Sequence, residues 1–230
     1  MTADAVDLYD AALRTGDGRL AVRVAGGRPT PLDVQRWCGQ ADAADLDLLA
    51  RRHGPTLDVG CGPGRLLAAL AGLGVPAVGV DIAAYAVSLA AETGQPVLHR
   101  SVFDRLPGEG GWGTVLLADG NIGIGGDPET LLRRVSELLA PGGRALVEVA
   151  AYDVQRTHVL RVEDGAGRRS KPFLWGRLGG TPALRLAESL GFDVAERWTA
   201  GGRCFLTLTS PAECRSGVQP LDVRPEAGGA

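Results

Sequence analysis

The chain of 230 residues, 45% of them hydrophobic, is long enough for one α/β domain with a buried core and too short for two full domains. Its formal net charge of −3 at pH 7 predicts no broad basic surface, so we expect no nucleic-acid partner. The opening residues lack the charged start and apolar run of a signal peptide, and no stretch approaches the roughly 20 apolar residues that span a bilayer. We therefore expect a cytoplasmic protein with no membrane partner.

The N-terminal segment, residues 1–54, is predicted to be a partly helical cap. Residues 1–31 are rich in Gly, Arg and Pro and are expected to be irregular. Residues 33–53 have the pattern of one helix or of two short helices, which Gly54 and Pro55 end.

Alternating apolar strands and helices follow from residue 55 to residue 151. Asp127 and Pro128 are predicted to begin the last helix of this series, as N-cap and first-turn residue, and that helix is expected to end near Ala140. Strands that are apolar throughout are typical of a parallel sheet covered by helices on both faces. The predicted strands span residues 56–60, 76–81, 95–100, 112–119 and 144–151.

The last third of the chain departs from this alternation. Its predicted elements are two strands around a glycine-containing turn, a helix capped by Thr181, and a closing antiparallel hairpin: residues 159–164, 168–175, 181–192, 193–200 and 203–210. Residues beyond this hairpin lack periodicity. We therefore divide the rest of the chain into a main domain over 55–210, with 152–177 as an insertion on the substrate side, and a flexible tail over 211–230.

A glycine-rich loop, Asp58-Val-Gly-Cys-Gly-Pro-Gly64, connects the first of these strands to its helix. Glycine lets the backbone turn sharply and lets a ligand approach without a Cβ in the way, and open α/β sheets bind ligands at this edge. A tight turn without a ligand is one interpretation, but such turns rarely need three glycines in five residues. A dinucleotide fingerprint is another, but Arg65 stands where its third glycine would permit close packing of helix on strand.

The segment LDVGCGPGR, residues 57–65, closely resembles motif I of the class I S-adenosylmethionine-dependent methyltransferases. The resemblance implies S-adenosyl-L-methionine as cofactor, S-adenosyl-L-homocysteine as product, and a Rossmann-like α/β fold. That fold is a seven-stranded, mostly parallel sheet with a C-terminal antiparallel hairpin and helices on both faces. The resemblance also implies that Asp58 lies near the positively charged end of the cofactor, while the backbone at Gly60, Cys61 and Gly62 passes its ribose and methionine parts.

Asp81 ends the second strand and is the predicted ribose-binding residue. Standing alone, it is equally well interpreted as the N-cap of the following helix, and both roles are compatible. With motif I upstream, the resemblance implies a carboxylate that accepts both ribose hydroxyls. It also implies that Ile82 packs on the face of the adenine.

Ser101, Val102 and Phe103 follow the third strand and are the predicted adenine contacts. Similar enzymes place an Asp and then a small apolar residue here, whereas in this chain Asp104 comes three residues after Ser101. This departure leaves the contact to the adenine amino group open. Val102 could supply its backbone N–H, and Phe103 either lines the pocket or joins the core.

The fourth strand ends in Asp119, Gly120 and Asn121, where the family places residues between cofactor and substrate. We assign Asp119 and Gly120 to the cofactor and Asn121 to the substrate. The Asn/Asp-Pro-Pro-aromatic signature of nucleotide N-methyltransferases is absent, which weighs against DNA adenine methylation. The glycines of ADGNIGIGG are expected to leave room for a substrate.

Asp119 and His158 are the candidate catalytic bases. Methyl transfer from a sulfonium releases a neutral leaving group, so alignment matters more than acid catalysis, and a base is needed only if the acceptor carries a proton. Asp119 has an alternative role in cofactor binding or loop ordering. His158 has an alternative role as an ordinary histidine on a surface strand.

Aromatic residues outside the predicted sheet are assigned to the substrate: Tyr9 and Trp37 before it, and Tyr152 and Trp175 in the insertion. The insertion is expected to form a wall or lid, with a sheet extension or a dimer contact as the alternatives. Its basic residues attract an acidic substrate or form a solvated face: Arg156, Arg161, Arg168, Arg169 and Lys171.

Four cysteines lie far apart, with no CxxC pair and no histidine at metal spacing, so we expect reduced thiols and no metal. The segments LADGNIGIGGDP and RRSKPFLW resemble stand-alone small-molecule methyltransferases of actinomycetes. We therefore expect a small-molecule acceptor, with a natural-product thiol as the specific hypothesis and an O- or N-methyltransferase as the alternative. A protein that binds S-adenosylmethionine without turnover is the rival of another class. The oligomeric state is expected to be monomer or homodimer.

Overall fold

The computed structural model describes residues 3–16 and 18–212. In chain order its elements are α1 (Ala5–Thr15), β1 (Ala21–Val24), β2 (Thr30–Pro31), α2 (Val34–Trp37), α3 (Ala43–Ala50), β3 (Thr56–Val59), α4 (Arg65–Gly72), β4 (Ala77–Asp81), α5 (Ala84–Ala91), β5 (Val97–His99), β6 (Trp112–Leu117), the 3₁₀ helix η1 (Asn121–Gly126), α6 (Pro128–Leu138), β7 (Leu139–Val149), β8 (Gln155–Glu163), β9 (Phe173–Leu178), α7 (Gly180–Ser189), β10 (Asp193–Ala200) and β11 (Arg203–Thr209).

The main sheet has seven strands in the order β10-β11-β7-β6-β3-β4-β5. The five adjacent strands β7, β6, β3, β4 and β5 pair in parallel. Strand β11 runs antiparallel to both β7 and β10. The predicted mostly parallel sheet with a C-terminal antiparallel hairpin is therefore confirmed.

Strand alternation sends side chains into one core on each face of this sheet. On one face, Leu57, Val115 and Val147 pack with residues of α6 and α7. On the other, Leu116 and Leu146 pack with residues of α3, α4 and α5. The predicted helices on both faces are thus present, and they explain why the strands are apolar at nearly every position.

A second sheet has four strands in the order β2-β1-β8-β9. The sequence predicted only two of them, as residues 159–164 and 168–175, and these correspond to β8 and β9 with shifted bounds. Strand β1 pairs antiparallel with β8, so that Ala21 lies opposite Glu163. We call this sheet, together with α1 and α2, the cap. The expectation of an irregular segment over 1–31 is wrong, because α1, β1 and β2 lie there. The region over 33–53 forms two short helices, which is one of the two predicted forms.

Several helices and strands begin or end at residues other than the predicted ones. Asp127 caps α6 by accepting a hydrogen bond from the Glu129 N–H at 3.0 Å, as predicted. However, β7 begins at Leu139 and runs through the Pro-Gly-Gly segment that was expected only to end the helix. Thr181 is not the cap of α7, because the cap position is Gly179 and the Thr181 N–H donates instead to Asp153.

The tail predicted for 211–230 lies, from residue 213 onward, outside the described residues, and so does Cys214. Cys38, Cys61 and Cys204 are free thiols. Within the described ranges, no three His, Cys, Asp or Glu side chains are grouped to hold a metal ion. Every helix in those ranges is too short or too polar to cross a membrane.

The glycines of η1 permit the cap to dock on the main sheet. A Cβ at Gly123 would overlap the carbonyl oxygen of Gly176 and the indole nitrogen of Trp175, and a Cβ at Gly126 would overlap the side chain of Leu174. The expectation that these glycines leave room for a substrate is therefore wrong at both positions. The room that they provide is occupied by β9.

We expect Gly123→Ala to lower the free energy of unfolding by about 1–3 kcal/mol, because the added methyl group overpacks a closed contact. Gly72→Ala is the matched control, since no heavy atom lies within 4 Å of a Cβ built there. That helical position is expected to be neutral or to gain up to about 1 kcal/mol. Urea unfolding followed by circular dichroism measures both changes, and equal stability of Gly123→Ala and the parent chain would contradict the expectation.

Candidate functional site

A cavity of about 990 Å³ lies between the carboxyl edge of the main sheet and the cap. Ligand sites typically occupy about 300–1,000 Å³, so this cavity lies at the upper end of that range. It opens where β3 has β4 on one side and β6 on the other, which is the switch point at which open α/β sheets bind ligands.

The glycine loop forms the floor of this cavity. Gly60 has a φ of +69°, and a Cβ there would lie 2.6 Å from the Asn121 amide nitrogen. Gly64 has a φ of +93°, and a Cβ there would lie 2.9 Å from the Cα of Ala90. Gly64 thus permits the close approach of α4 to α5. In a dinucleotide fingerprint, the third glycine permits close packing of this kind. In this chain Arg65 occupies the position of that third glycine.

Asp81 bridges the glycine loop and the start of α5. One carboxylate oxygen accepts the Gly62 N–H at 2.9 Å, and the other accepts the Ala83 N–H at 2.8 Å. Burial raises the pKa of Asp81, and these backbone hydrogen bonds oppose the rise. Asp81 is not the N-cap residue of α5, as one interpretation of the sequence predicted, because Ala83 occupies that position.

Asp58 is the buried carboxyl group of the site, with 2% of its surface exposed. Burial first, and then the charges of Asp119 and Asp81, raise the pKa of Asp58 to about 8. Among the described residues no hydrogen bond reaches its carboxyl group, although that group lines the cavity. A cation placed beside Asp58 would favour its ionised form.

Apolar side chains flank the strand side of the cavity. Ile82 is 54% exposed and Phe103 is 41% exposed, so both present apolar surface to the cavity. Ser101 and Val102 line the same region. The Asp104 carboxylate accepts the Ser101 N–H at 3.1 Å, so that it shapes this turn from outside the cavity.

Asn121 lines the cavity, but its side chain is committed to the glycine loop. Its amide nitrogen donates to the carbonyl oxygens of Val59 at 2.8 Å and Gly60 at 3.0 Å. Gly120, with a φ of +79°, begins the same turn. This arrangement makes Asn121 a positioning residue for the loop.

Asp119 lies within a group of arginines. Its carboxylate is paired with Arg36 of α2, with Arg65 at 2.5 Å and with Arg203 at 3.4 Å. It is the one non-glycine residue of the described chain with positive φ, at +53°. Such a conformation persists where surrounding contacts hold it, as these three ion pairs do. The Asp119 carboxylate is therefore already engaged by cations of the protein itself.

These arginines share two further carboxylates. Asp45 is fully buried and pairs with Arg36 at 3.0 Å, with Arg203 at 2.7 Å and with Arg65. Glu148 of β7 accepts both an Arg203 N–H and the Asp119 N–H at 2.6 Å. Sequence reasoning missed this cluster. Its members lie on α2, α3, α4, β7 and β11 and in the turn after β6. The sequence singled out only Asp119, for other roles, and Arg65, where a glycine is expected.

Three of the four aromatic residues assigned to the substrate line the cavity. Tyr9 and Trp37 form an edge-to-face pair with centroids 5.9 Å apart, and both line the cavity. Burial and the neighbouring Asp81 raise the pKa of the Tyr9 phenol, which therefore remains a hydrogen-bond donor. Tyr152 is 55% exposed and does not line the cavity, so its assignment to the substrate wall is wrong.

His158 and Trp175 stand opposite each other on β8 and β9, and both line the cavity. His158 is half-buried on the inner face of the cap, not a histidine of an outer surface. The same wall includes Arg28, Arg177 and Phe173, which the sequence did not assign to the site.

Residues 40–189 match the family described as "Methyltransferase domain". No curated protein matches the chain. Among solved structures, an S-adenosylmethionine-dependent methyltransferase from Bacteroides fragilis, in complex with S-adenosyl-L-homocysteine, is 22% identical with a TM-score of 0.76, covering 90% of this chain and 95% of that one.

Two further solved structures are similar. The 1,6-didemethyltoxoflavin-N1-methyltransferase of Burkholderia thailandensis is 20% identical with a TM-score of 0.60, covering 90% of this chain and 87% of that one. A glycopeptide N-methyltransferase complexed with S-adenosyl-L-methionine is 16% identical with a TM-score of 0.58, covering 75% and 95%. At these identities the similarity shows the fold. Since the family match extends over about two thirds of the sequence, the chain belongs to the methyltransferase domain family and is a methyltransferase with the fold of the S-adenosylmethionine-dependent enzymes.

Proposed function

We propose that the chain transfers a methyl group from S-adenosyl-L-methionine to a small-molecule acceptor. The observation that carries this proposal is the pairing of the glycine loop with Asp81 at the switch point of the sheet. A carboxylate there can accept two neighbouring hydroxyl groups, and the loop presents backbone without a Cβ. S-adenosylmethionine supplies a methyl group on a positively charged sulfur and leaves as a neutral thioether.

The residues present fit this cofactor. In our proposal Asp81 accepts the ribose hydroxyls, while Ile82 and Phe103 enclose the adenine beside the backbone of Ser101 and Val102. Asp58 faces the sulfonium past Gly60, Cys61 and Gly62. Asp119 and Gly120 hold the methionine side of the site. The exposed apolar surface of Ile82 and Phe103 supports a planar, partly apolar occupant.

Tyr9, Trp37 and Trp175 close the acceptor side in this proposal, and His158 is the candidate base. The three ion pairs of Asp119 favour a positioning role for that residue over proton transfer. His158 lies on the acceptor wall and carries no such ion pair among the described residues. The imidazole is required only when the acceptor atom bears a proton.

A thiol remains the specific acceptor that we propose, since it requires little help to ionise: an unperturbed thiol has a pKa of about 8.5. An amine or hydroxyl acceptor is the alternative, and the two N-methyltransferases of similar fold favour the amine. The resemblance to actinomycete enzymes, a cytoplasmic location and a monomeric or homodimeric state remain proposals from the sequence.

Incubation with methyl-labelled S-adenosylmethionine and a panel of thiols, phenols and amines tests the function. We expect label in at least one acceptor class, and much less label with Asp81→Ala at the same low cofactor concentration. Transfer only to phenols or amines would remove the thiol proposal. Binding of the cofactor without transfer to any member would instead support a non-catalytic binding protein.

The pKa of Asp58 predicts how cofactor affinity depends on pH. With a pKa of about 8, the ligand-free carboxyl group is mostly protonated at neutral pH, whereas a sulfonium favours its ionised form. The affinity for S-adenosylmethionine should therefore rise by up to about tenfold per pH unit until about pH 8, and then level off. S-adenosylhomocysteine has a neutral sulfur and should lack this dependence.

Calorimetry between about pH 6 and about pH 9 measures the ratio of the affinities for S-adenosylmethionine and S-adenosylhomocysteine. Both compounds carry the same amino and carboxylate groups, so the titration of these groups does not affect the ratio. Asp58→Asn removes the titrating group and is expected to make the ratio independent of pH. A flat ratio in the unmodified chain would contradict the expectation.

A further inference from the structure

The two walls of the cavity carry opposite charge. All four carboxylates that line it belong to the main-sheet wall: Asp58, Asp81, Asp119 and Glu148. The cap contributes Arg28, Arg36, Arg177 and His158, and among its described lining residues there is no carboxylate. The cofactor proposed above carries its sulfonium toward the acidic wall. The acceptor must therefore lie against the basic one.

Two of the cap arginines are not used by the protein itself. Arg36 is paired with Asp42, Asp45 and Asp119. Arg28 and Arg177, by contrast, form no ion pair with any described residue, and the Arg177 guanidinium only lies 5.2 Å from the ring centroid of Tyr152. On the main-sheet wall, the remaining cations are Arg65 and Arg203 of the ion cluster and Arg100, which donates to a backbone carbonyl. Two guanidinium groups of the cap thus remain available to a ligand.

The rest of the cap wall is apolar and aromatic. Val24, Leu160 and Phe173 form one row across β1, β8 and β9, and His158 and Trp175 form the next row. All five residues line the cavity. Because alternate residues of a strand share a face, Arg177 follows Trp175 on the same face of β9. The apolar surface of the cap therefore continues past the Trp175 indole to the Arg177 guanidinium.

We propose that the acceptor is an aromatic molecule that carries a carboxylate. This inference rests on the proposed methyl transfer and specifies its substrate class. The ring packs against Phe173 and Trp175, and the carboxylate accepts paired N–H groups from Arg177, while Arg28 adds a second positive charge. The acceptor atom then lies between this wall and the cofactor, within the reach of His158.

A matched pair of probes tests the substrate class without requiring turnover. Calorimetry compares 2-naphthoate with the neutral, nearly isosteric 2-naphthamide on protein loaded with S-adenosylhomocysteine. A charge-assisted hydrogen bond should make naphthoate bind at least about tenfold more tightly. Arg177→Gln should abolish most of that preference, and Arg28→Gln should reduce it. Arg185→Gln is the control, because it removes the same charge from an exposed position on α7 that does not line the cavity.

Equal or tighter binding of the amide, no binding of either probe, or an unchanged preference in Arg177→Gln would each overturn the inference. The titration with S-adenosylhomocysteine separates this failure from failure of the proposed function. If the thioether binds and the amide is preferred, only the acceptor class is wrong. If neither S-adenosyl compound binds, the proposed function fails, and the same two probes still decide the charge preference on the unloaded protein.

Discussion

Asp81→Ala is expected to weaken the binding of S-adenosylhomocysteine by about 100-fold or more, because two hydrogen bonds to a charged acceptor are lost together. The substitution also removes the carboxylate that holds the Gly62 N–H, so the loop loses an anchor beside the ligand. Calorimetry of the variant against the parent chain measures the effect. We expect the loss in affinity and not in the stoichiometry of binding.

Asp127→Ala is the matched control for this experiment. It too removes an aspartate that accepts a backbone N–H at the start of a helix, but Asp127 does not line the cavity. The loss of this N-cap should lower stability by about 1 kcal/mol and leave the affinity unchanged. Unaltered affinity in Asp81→Ala, or an equal loss in both variants, would refute the assignment of Asp81 to the ribose.

Asp45→Ala should lower the free energy of unfolding by about 3–5 kcal/mol, because it leaves buried guanidinium groups without a central counter-charge. Asp45 is fully buried and contacts Arg36, Arg65 and Arg203, and the Arg65 side chain is only 4% exposed. The stabilities of the variant and the parent chain are compared by urea unfolding.

Glu129→Ala provides the comparison for an exposed ion pair. Glu129 pairs with Arg133 on the surface of α6, where the two side chains are 53% and 62% exposed. Its loss should change stability by less than about 1 kcal/mol. If Asp45→Ala were no more destabilising than Glu129→Ala, the cluster would contribute little to holding the cap on the main sheet.

Local patterns were sufficient for the elements of the main sheet. Neighbouring residues along the chain determine the apolar strands β3, β4 and β6 and the capping of α6 by Asp127. A short segment of the sequence is therefore enough to predict each of them. The glycine loop was identifiable for the same reason, because its backbone conformation requires glycine whatever packs around it. The antiparallel hairpin was likewise predicted from two short strands joined by Gly201 and Gly202, whereas the order of the strands in the sheet was not predicted.

The cap could not be predicted in this way. Strand β1 has four residues and is completed by β8, with Ala21 opposite Glu163, so no local window contains the pairing. Asp119 illustrates the same limit for the site. It lies just beyond the end of β6, not at the end of the strand as predicted. Its partners Arg36, Arg65 and Arg203 come from distant parts of the chain, so no local pattern could predict these ion pairs.

The sequence by itself determined the parallel sheet, the glycine loop and the position of Asp81, because each rests on hydrophobic periodicity or on backbone conformation encoded within a few residues. Only the tertiary structure decided which charges neutralise each other, which glycines admit β9, and which cavity-lining arginines form no ion pair among the described residues. These properties depend on distances between side chains that are far apart in the chain. They are settled only when the cap packs against the sheet.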